Sequence, residues 1–535
     1  MALLNFKGKS AVWNHHLSVP YQTLEKDTKL SLKGKNADEN LIIEADNLTA
    51  LKSLLPKYQG KIRCIYIDPP YNTGNEGWVY NDSVNSPLIK DWIGQTVGAD
   101  DLTRHDKWLC MMAPRLKLLR ELLDDDGVIF ISIDDNEIHN LIQLMKEIFR
   151  DDYIDTMVWR KSGVGRDGKM KNTTTFRKDH EYVLVGYNYT KNLNKSFEKP
   201  KWENEYDNKD NDPRGPYKAG SISNKEEASN PKHENYYSVE SPSGKIFTRQ
   251  FNVSEEEFEI LDEDSRIYWG KNGDAVPAIK IFVNEKRKVT TSSLLLNEGT
   301  TTEGTKELQT LFNGKKLFDR PKPTTLIKKI LQISTDKNSI ILDSFAGSGT
   351  TAQAVLDLNK GDGGNRKFIL IQLPEQTKKN KEAYKAGFKF VHEITRERVK
   401  RVIEKGKLGV GFTYMKLGPK IDAESILSGQ LPSYKDLAKY IYFLATGKTM
   451  NDVKKIKEEE YFVGKIGSQS IHLIYKKDFN KLKNMALTLE LAEQMNKKDK
   501  NKKLVYAPAC FLDDENLEKF NIEFVSIPYS LFGKK

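Results

Sequence analysis

The 535-residue sequence predicts an α/β fold based on a doubly wound mixed sheet, with a polar domain inserted between the two halves of the sheet and a C-terminal α/β domain after them. Two observations predict the sheet. Apolar runs alternate with helical patterns from about residue 41 to 185, and the alternation resumes after Pro323. Strands that alternate with helices form βαβ units, so each stretch predicts part of one sheet. A third observation, the polar stretch between them, predicts the inserted domain.

The first half predicts a strand at residues 41–44, a second at 62–67, a helix at about 108–123 and a third strand at 128–133. Residues 124–127, Asp-Asp-Asp-Gly, predict the turn into the third strand. Acidic residues before a glycine at such a turn are typical of a solvated loop, so we predict no metal site there.

The second strand ends in Asp68-Pro69-Pro70-Tyr71, a segment that suits chemistry on an aromatic amine. The amino nitrogen of adenine is a poor nucleophile because its lone pair is delocalised into the ring. A carboxylate and a backbone carbonyl that accept its two N–H groups would aim the lone pair at an electrophile. Asp68 would supply the carboxylate and Pro69 the carbonyl, while Tyr71 would stack on the base. An ordinary Pro-Pro turn is the alternative.

From about residue 186 the chain is rich in Asn, Lys, Ser and Glu. Aromatic residues stand between the charges, namely Trp202, Tyr206, Tyr217, Tyr236 and Tyr237. Short β-like runs follow at 245–247 and 279–283. Interleaved basic and aromatic side chains suit contacts to DNA backbone and bases, although composition alone indicates a solvent-exposed insertion equally well.

The second half contains a predicted strand at 339–343 that leads into a glycine turn and a helix start at 344–352. Gly347 and Gly349 would let the backbone approach a ligand closely, and the helix N-terminus favours a negative charge such as a carboxylate. With Ala352 they also fit the looser dinucleotide fingerprint, so a nicotinamide site is an alternative. A strand at 368–373 and a long basic helix to about Lys405 follow.

Together, the D-P-P-Y segment and Phe345-x-Gly347-x-Gly349 resemble the DNA amino-methyltransferases that use S-adenosylmethionine, in the motif order of the β class. The resemblance implies a class I methyltransferase fold with circularly permuted motifs. It also implies cofactor contacts by Asp46, Asn47, Phe318, Lys322, Pro323, Asp343, Phe345, Gly347, Gly349 and Thr350. The family often has a glutamate at the end of this strand that binds the cofactor ribose. This sequence has Gln372 at that position and Glu375 three residues later, so either Gln372 or Glu375 could bind the ribose. Residues 179–185 resemble the family's late catalytic-domain strand.

The strings Ile67-Asp68-Pro69-Pro70-Tyr71-Asn72-Thr73-Gly74, Asp212-Pro213-Arg214-Gly215-Pro216 and 504–510 resemble the modification subunit of type III restriction-modification systems. This resemblance implies N6-adenine methylation of a flipped base in double-stranded DNA, a homodimer, and a separate restriction subunit with helicase and nuclease activity. The alternatives are N4-cytosine methylation and a DNA-binding specificity subunit with a vestigial cleft. N4-cytosine methylation is disfavoured because it more often resembles an S-P-P-Y motif.

Composition agrees with these interpretations. The excess of 85 Lys+Arg over 75 Asp+Glu gives a net charge of +10, which favours an anionic partner. Three distant cysteines indicate neither disulfides nor structural zinc, and no apolar stretch approaches the ~20 residues of a membrane span. We therefore predict a cytoplasmic protein.

The sequence predicts five segments. These are an N-terminal arm (1–40), a catalytic half (41–185), a target-recognition domain (186–310), a cofactor-binding half (311–410) and a C-terminal domain for dimerisation or partner binding (411–535).

Overall fold

The computed structural model describes residues 4–73, 101, 103–163, 176–198, 206–283, 285, 287–450 and 452–527. Gly74 and Trp202, which carry sequence predictions, lie outside these residues. The chain divides into two compact units, one formed by residues 1–194 and 292–535 and the other by residues 195–291. Among the described residues, no helix is both long enough and apolar enough to cross a bilayer.

The first part of the larger unit alternates strands and helices. Its strands are β1 (Gln22–Leu32), β2 (Leu41–Glu44), β3 (Ile62–Ile67), β4 (Leu123–Ile133), β5 (Ile154–Arg160) and β6 (His180–Tyr187). Its described helices are Lys9–Val12, His15–Ser18, Asn47–Tyr58, Arg104–Leu122 and Ile138–Phe149. The central strands are buried apolar runs because helices cover both faces of the sheet.

The smaller unit contains short antiparallel strands and one described α-helix, Glu255–Glu263. Its strands are β7 (Ser196–Glu198), β8 (Tyr217–Ser221), β9 (Tyr236–Glu240), β10 (Ile246–Gln250), β11 (Ile267–Tyr268), β12 (Ala278–Phe282) and β13 (Arg287–Val289). Phe247, Phe251, Phe258 and Trp269 are buried together in a core of its own. The polar composition of this segment therefore still permits a packed domain.

The chain then returns to the larger unit. Its remaining sheet strands are β14 (Leu294–Leu295), β15 (Ile340–Asp343), β16 (Lys367–Gln372) and β17 (Phe412–Lys420). The helices are Thr301–Leu311, Thr324–Ser334, Thr350–Asp362, Glu382–Lys385 and Val391–Gly406. A four-stranded sheet follows, formed by β18 (Phe462–Ile466), β19 (Gln469–Leu473), β20 (Lys503–Ala507) and β21 (Ile522–Ser526), with helices Ala423–Leu427, Tyr434–Thr446, Phe479–Leu482, Leu489–Lys498 and Asp514–Lys519.

The ten-stranded sheet has the order β1-β17-β2-β16-β15-β3-β4-β6-β5-β14. Its six central strands from β17 to β4 are parallel, and antiparallel pairs occur at β1/β17, β4/β6 and β6/β5. The predicted doubly wound mixed sheet is thus confirmed. From β3 the chain passes to β4 on one side, whereas from β15 it passes to β16 on the other. The neighbours β3 and β15 therefore form the topological switch point, where open α/β sheets bind ligands.

Several boundaries differ from the sequence predictions. The predicted turn at 124–127 lies inside β4, where the pairing with β3 is irregular between Ile62 and Cys64. Arg63 lies 3.6 Å from the carboxylates of both Asp124 and Asp126, which accounts for acidic residues within a strand. β1 joins the central sheet although it falls in the predicted N-terminal arm, and β17 joins it although it falls in the predicted C-terminal segment. Both strands pair with distant parts of the chain, which local sequence does not reveal.

Candidate active site

The site lies at the carboxyl ends of β3 and β15, which are neighbouring parallel strands. The register pairs Ile341 with Cys64 and Leu342 with Ile65. Asp68 follows directly after β3, and Asp343 is the last residue of β15. Two segments that are 275 positions apart in the sequence therefore end side by side, as the sequence predicts.

A cluster of charged and hydroxyl groups surrounds the Asp68 carboxylate. Lys322 Nζ donates to Asp68 Oδ1 at 2.8 Å and to Oδ2 at 2.7 Å. The same ammonium donates to Tyr71 Oη at 2.8 Å and lies 5.0 Å from the centre of the Tyr71 ring. The Tyr71 hydroxyl lies 2.8 Å from Asp68 Oδ1. Asp68 remains partly exposed, so the carboxylate is accessible at the edge of the sheet.

Glu181 on β6 supplies a second carboxylate to this cluster. Its Oε2 lies 3.1 Å from Tyr71 Oη and 3.5 Å from Lys322 Nζ, and its Oε1 lies 3.3 Å from Lys161 Nζ. Burial would raise the pKa of Glu181, but Lys322 and Lys161 hold it below its usual value. Burial disfavours the charged form of Lys322, yet Asp68 and Glu181 together raise its pKa. Two carboxylates and two ammonium groups thus balance each other's charge.

The backbone on both sides of this cluster is anchored by packing. The Trp108 indole N–H donates to the Pro70 carbonyl at 2.7 Å, which fixes the Pro-Pro turn against the helix Arg104–Leu122. Lys322 stands between two buried prolines, and the backbone of Pro321–Pro323 lies against Gly304. A Cβ atom at Gly304 would come within 2.3 Å of the Pro321 carbonyl oxygen. The turn and the lysine segment are therefore both held by close backbone contacts.

The glycine turn after β15 is held by contacts to three other segments. Gly347 and Gly349 have φ angles of 52° and 84°, in the left-handed region that favours glycine. The Gly347 N–H donates to Gln372 Oε1 at 2.7 Å, and its carbonyl accepts from Thr395 Oγ1 at 2.6 Å. A Cβ atom at Gly347 would lie 3.3 Å from the Phe318 ring. Phe318 and Gln372 therefore border the turn.

Asp343 fixes the start of this turn. Its Oδ1 accepts from the Phe345 N–H at 3.0 Å, and its Oδ2 accepts from Thr351 Oγ1. Burial raises the pKa of Asp343 to about 7; the two hydrogen bonds oppose that shift and the nearby Asp68 charge adds to it. The electrostatic influence of Asp68 agrees with the proximity of the two strand ends.

A fully buried arginine, Arg398, lies beneath the helix that starts at Thr350. Its guanidinium donates to Ser348 Oγ at 2.8 Å, Thr350 Oγ1 at 2.7 Å and Gln353 Oε1 at 2.9 Å. Burial lowers the pKa of Arg398 to about 10. Thr350, predicted as a cofactor contact, thus directs its hydroxyl inward to this arginine, while the backbone N–H groups of the first turn form the helix N-terminus.

The acidic segment after β2 is tied to the same edge of the sheet. Asp46 caps the helix Asn47–Tyr58 through the Thr49 N–H and pairs with Arg115 at 3.1 Å. Asn47 Nδ2 donates to the Ser344 carbonyl at 3.1 Å and its Oδ1 accepts from Arg115. The helix Asn47–Tyr58 is thereby attached to the glycine turn.

The structure brings most of the predicted site residues to one edge of the larger unit. Asp68, Pro69, Pro70 and Tyr71 form one side, and Asp343, Phe345, Gly347 and Gly349 the other. Phe318, Gln372 and Asn47 contact the glycine turn, Pro323 precedes the helix Thr324–Ser334, and Glu375 lies exposed beyond β16. Lys322, predicted beside the cofactor, lies against Asp68. The roles of Lys161, Glu181, Arg115 and Arg398 were not predicted, because each depends on partners far away in the sequence.

Comparison with known proteins matches residues 62–386 to a family described as DNA methylase. The StyLTI Mod subunit of the type III restriction-modification enzyme from Salmonella typhimurium is 35% identical over 407 residues, which are 72% of this chain and 60% of that protein. The EcoPI Mod subunit of Escherichia phage P1 is 33% identical over 75% of this chain and 68% of its own length. The type II methyltransferase M.KpnI of Klebsiella pneumoniae is 31% identical over 70% of this chain and 90% of its own length.

Among solved structures, that of the Thermus thermophilus protein TTHA0409 in complex with S-adenosylmethionine aligns with 71% of this chain and 99% of its own. The identity is 12% and the TM-score 0.31. PvuII DNA methyltransferase, described as cytosine-N4-specific, aligns with 68% of this chain and 93% of its own, with 12% identity and a TM-score of 0.33.

Proposed function

This chain belongs to the DNA methylase family, and from that premise we propose that it transfers a methyl group from S-adenosylmethionine to N6 of adenine in double-stranded DNA. We further propose that it is the modification subunit of a type III restriction-modification system, with a homodimeric assembly, a restriction subunit as partner and a cytoplasmic location. The relatives named as Mod subunits support this proposal. The observation that carries it is the position of Asp68 at the end of β3, next to the end of β15 from which the glycine turn starts, at the switch point of the sheet.

The residues around the glycine turn fit S-adenosylmethionine. Gly347 and Gly349 leave the backbone without side chains at the turn, and the N-terminus of the helix Thr350–Asp362 favours the carboxylate of the methionine group. Gln372 and Glu375 are the two candidates for binding the ribose. The side-chain amide of Gln372 already accepts from the Gly347 N–H and donates to the Leu373 carbonyl. The exposed Glu375 is therefore our candidate for the ribose hydroxyls. When bound, the cofactor supplies a methyl group already activated by the sulfonium.

The chain's own residues position the amine. Adenine inside a duplex cannot reach this edge, so the base must leave the helix at a cost of a few kcal/mol. Tyr71 stacks on the extruded base and compensates part of that cost, by about 1–3 kcal/mol. Asp68 accepts one N–H of the amine and the Pro69 carbonyl the other, which directs the nitrogen lone pair toward the methyl group.

Replacement of Asp68 by alanine tests this function. We expect transfer of labelled methyl groups to DNA to fall by at least about a thousandfold, because the group that orients the amine is lost. Binding of S-adenosylmethionine and DNA should persist. Asp357→Ala, which removes a carboxylate on the helix Thr350–Asp362 away from the cluster, is the matched control. Undiminished methylation by the Asp68 variant would refute the assignment.

Mass spectrometry of nucleosides from the methylated DNA identifies the base. N6-methyladenine is expected. Detection of N4-methylcytosine would show that cytosine is the target and would leave the assignment of the cleft intact. Absence of any methyl transfer by the wild-type protein would favour a specificity subunit with a vestigial cleft.

A further inference from the structure

The Lys322 ammonium occupies the carboxylate to which we assign the target amine. It is within 2.8 Å of both Asp68 carboxylate oxygens and of the Tyr71 hydroxyl. We propose that Lys322 is a positioning residue that pairs with Asp68 while no target base is present and moves its ion pair to Glu181 when the amine enters. This inference rests on the proposed function, because it assigns a step before methyl transfer to the same site.

The competition follows from the donors that Lys322 uses. An ammonium group has three N–H donors, and here it has three acceptors: the two Asp68 oxygens and Tyr71 Oη. An amine that donates to Asp68 must therefore compete for oxygens that already accept from a charged donor. A charged donor forms the stronger hydrogen bond, so a neutral amine displaces Lys322 only if the ammonium has another anionic partner.

Glu181 is that partner. Its Oε2 is already 3.5 Å from Lys322 Nζ, so a small change of side-chain rotamer brings the two groups into hydrogen-bond distance. Glu181 is nearly as buried as Lys322, with side chains 10% and 8% exposed. Because Lys322 passes directly from one carboxylate to the other, its buried ammonium keeps an anionic partner throughout, as a buried charge requires.

Tyr71 links the two positions. Its hydroxyl lies 2.8 Å from Asp68 Oδ1 and 3.1 Å from Glu181 Oε2, but a phenol has only one proton to donate. The hydroxyl can therefore donate to Glu181 while Lys322 occupies Asp68. When the ammonium moves to Glu181, the hydroxyl can donate to Asp68 instead.

Only the side chain of Lys322 needs to move. Its backbone is enclosed by Pro321 and Pro323 and packed on Gly304, and the Thr324 N–H donates to Glu307 Oε2 at 3.0 Å. The four methylene groups of lysine allow this displacement, whereas the anchored backbone returns the ammonium to the same two carboxylates.

Three variants test the exchange: Glu181→Gln, Lys322→Met and the double variant. Glu181→Gln retains the side-chain shape but removes the anionic partner, so Lys322 should stay on Asp68 and kcat should fall by about tenfold or more. In the double variant Asp68 has no competing ammonium, and the Tyr71 hydroxyl can still donate to it. We therefore expect the double variant to recover most of the lost rate, although it carries one more substitution.

Calorimetry with S-adenosylmethionine and thermal melting confirm that each variant folds, and Lys328→Met is the matched control for loss of one lysine. The exchange would be overturned if Glu181→Gln transferred methyl groups at the wild-type rate, or if the double variant were no faster than Glu181→Gln. In either case methylation by the wild-type protein would leave the proposed function intact. Absence of methylation by the wild-type protein would overturn both.

If Glu181→Gln does not fold, Lys322→Met alone decides. Without that ammonium, Lys161 remains beside Glu181, and the titratable groups that the described residues place around the two carboxylates are Tyr66, Tyr71 and Asp343. Repulsion between the two carboxylates should then make transfer fall more steeply than in the wild type as the pH is lowered from 8 to 6. A loss of rate that is the same at every pH indicates a purely structural ion pair and overturns the inference.

Discussion

Asp343 is a buried carboxyl group on which the glycine turn depends. Both its oxygens accept hydrogen bonds within the turn and the following helix, from Phe345 and Thr351. Burial raises its pKa to about 7, far above the value of a carboxyl group in an unfolded chain. Between about pH 4 and 7 the folded protein therefore binds more protons at this position than the unfolded protein. By linkage, stability must decrease as the pH rises through that window.

Replacement of Asp343 by asparagine should reduce this pH dependence. The amide oxygen can still accept from Phe345, and the amide N–H₂ can donate to Thr351, but no charge is buried at high pH. We expect the free energy of unfolding of the wild type to decrease from pH 4 to 7 relative to the variant, by at most about 1.4 kcal/mol per pH unit. Denaturant titrations across this range measure the difference.

Asp357→Asn, on the surface of the helix Thr350–Asp362, serves as the control and should follow the wild-type pH dependence. Identical slopes for wild type and Asp343→Asn would mean that the carboxyl group of Asp343 titrates at an ordinary pKa in the folded protein.

The polar partners in the site are the part that local sequence could not reveal. Asp68 and Gly347 stand in short motifs whose chemistry is readable from the residues themselves. Lys322 meets Asp68 across 254 residues and Arg398 meets Thr350 across 48. An ion pair depends on which strand ends lie together, so these contacts follow only once the order of the sheet is known.

At the level of elements, the helix Thr301–Leu311 fixes the lysine segment. Its Gly304 packs directly on the backbone of residues 321–323. Thr300 caps this helix in a capping box with Glu303, and Glu307 accepts from the Thr324 N–H. A glycine in a helix is less stable than an alanine by roughly 1 kcal/mol. The close backbone contact at Gly304, which leaves no room for a side chain, accounts for a glycine here. The position of Lys322 is thus set by a helix that contributes none of its own side chains to the ion pairs.

Gly304→Ala should therefore destabilise the protein despite the better helix propensity of alanine. The added methyl group would come within 2.3 Å of the Pro321 carbonyl, so the helix or the lysine segment must shift. We expect a net loss of about 1–2 kcal/mol in the free energy of unfolding, and a lower rate of methyl transfer because Lys322 moves with the segment. Denaturant unfolding and the transfer assay measure the two effects.

The matched control is Gly361→Ala, in the helix Thr350–Asp362, where a Cβ atom would meet nothing within 4 Å. This variant should gain up to about 1 kcal/mol from helix propensity. Equal gains in both variants would show that the contact between Gly304 and Pro321 is not restrictive.

Apolar runs identify the central strands well because burial on both faces requires continuous hydrophobic sequence. β2 and β3 coincide with their predicted residues, and β15 and β16 do so within one residue. The strands at this edge of the sheet are harder to predict from sequence, because β1 and β17 pair across nearly 400 residues and contain many polar positions. The acidic run in β4 resembles a turn locally, but its pairing with β3 keeps it in the sheet.

At the scale of the whole molecule, the chain is interrupted by a unit with a separate core. The predicted target-recognition domain covers residues 186–310, whereas the compact unit covers 195–291. Residues on either side belong to the larger unit: β6 extends to Tyr187, β14 pairs with β5, and the helix Thr301–Leu311 supports the site. A change to polar composition therefore locates the insertion, but its boundaries depend on pairing with distant strands.

The two ends of the smaller unit are adjacent, which makes its removal a feasible experiment. Ser196 on β7 pairs with Val289 on β13, so their Cα atoms are about 5 Å apart.

A protein in which a short Gly/Ser linker joins Lys195 to Thr290 should therefore keep the larger unit folded and bind S-adenosylmethionine with wild-type affinity. Site-specific methylation should be lost, because most of the target-recognition domain predicted at residues 186–310 lies in this unit. Trp269→Ala, which opens the core of that unit in the intact chain, should reduce specific methylation in the same direction. Calorimetry with the cofactor and sequencing of methylated positions measure the two properties separately, and retained site specificity in the shortened protein would place recognition in the larger unit.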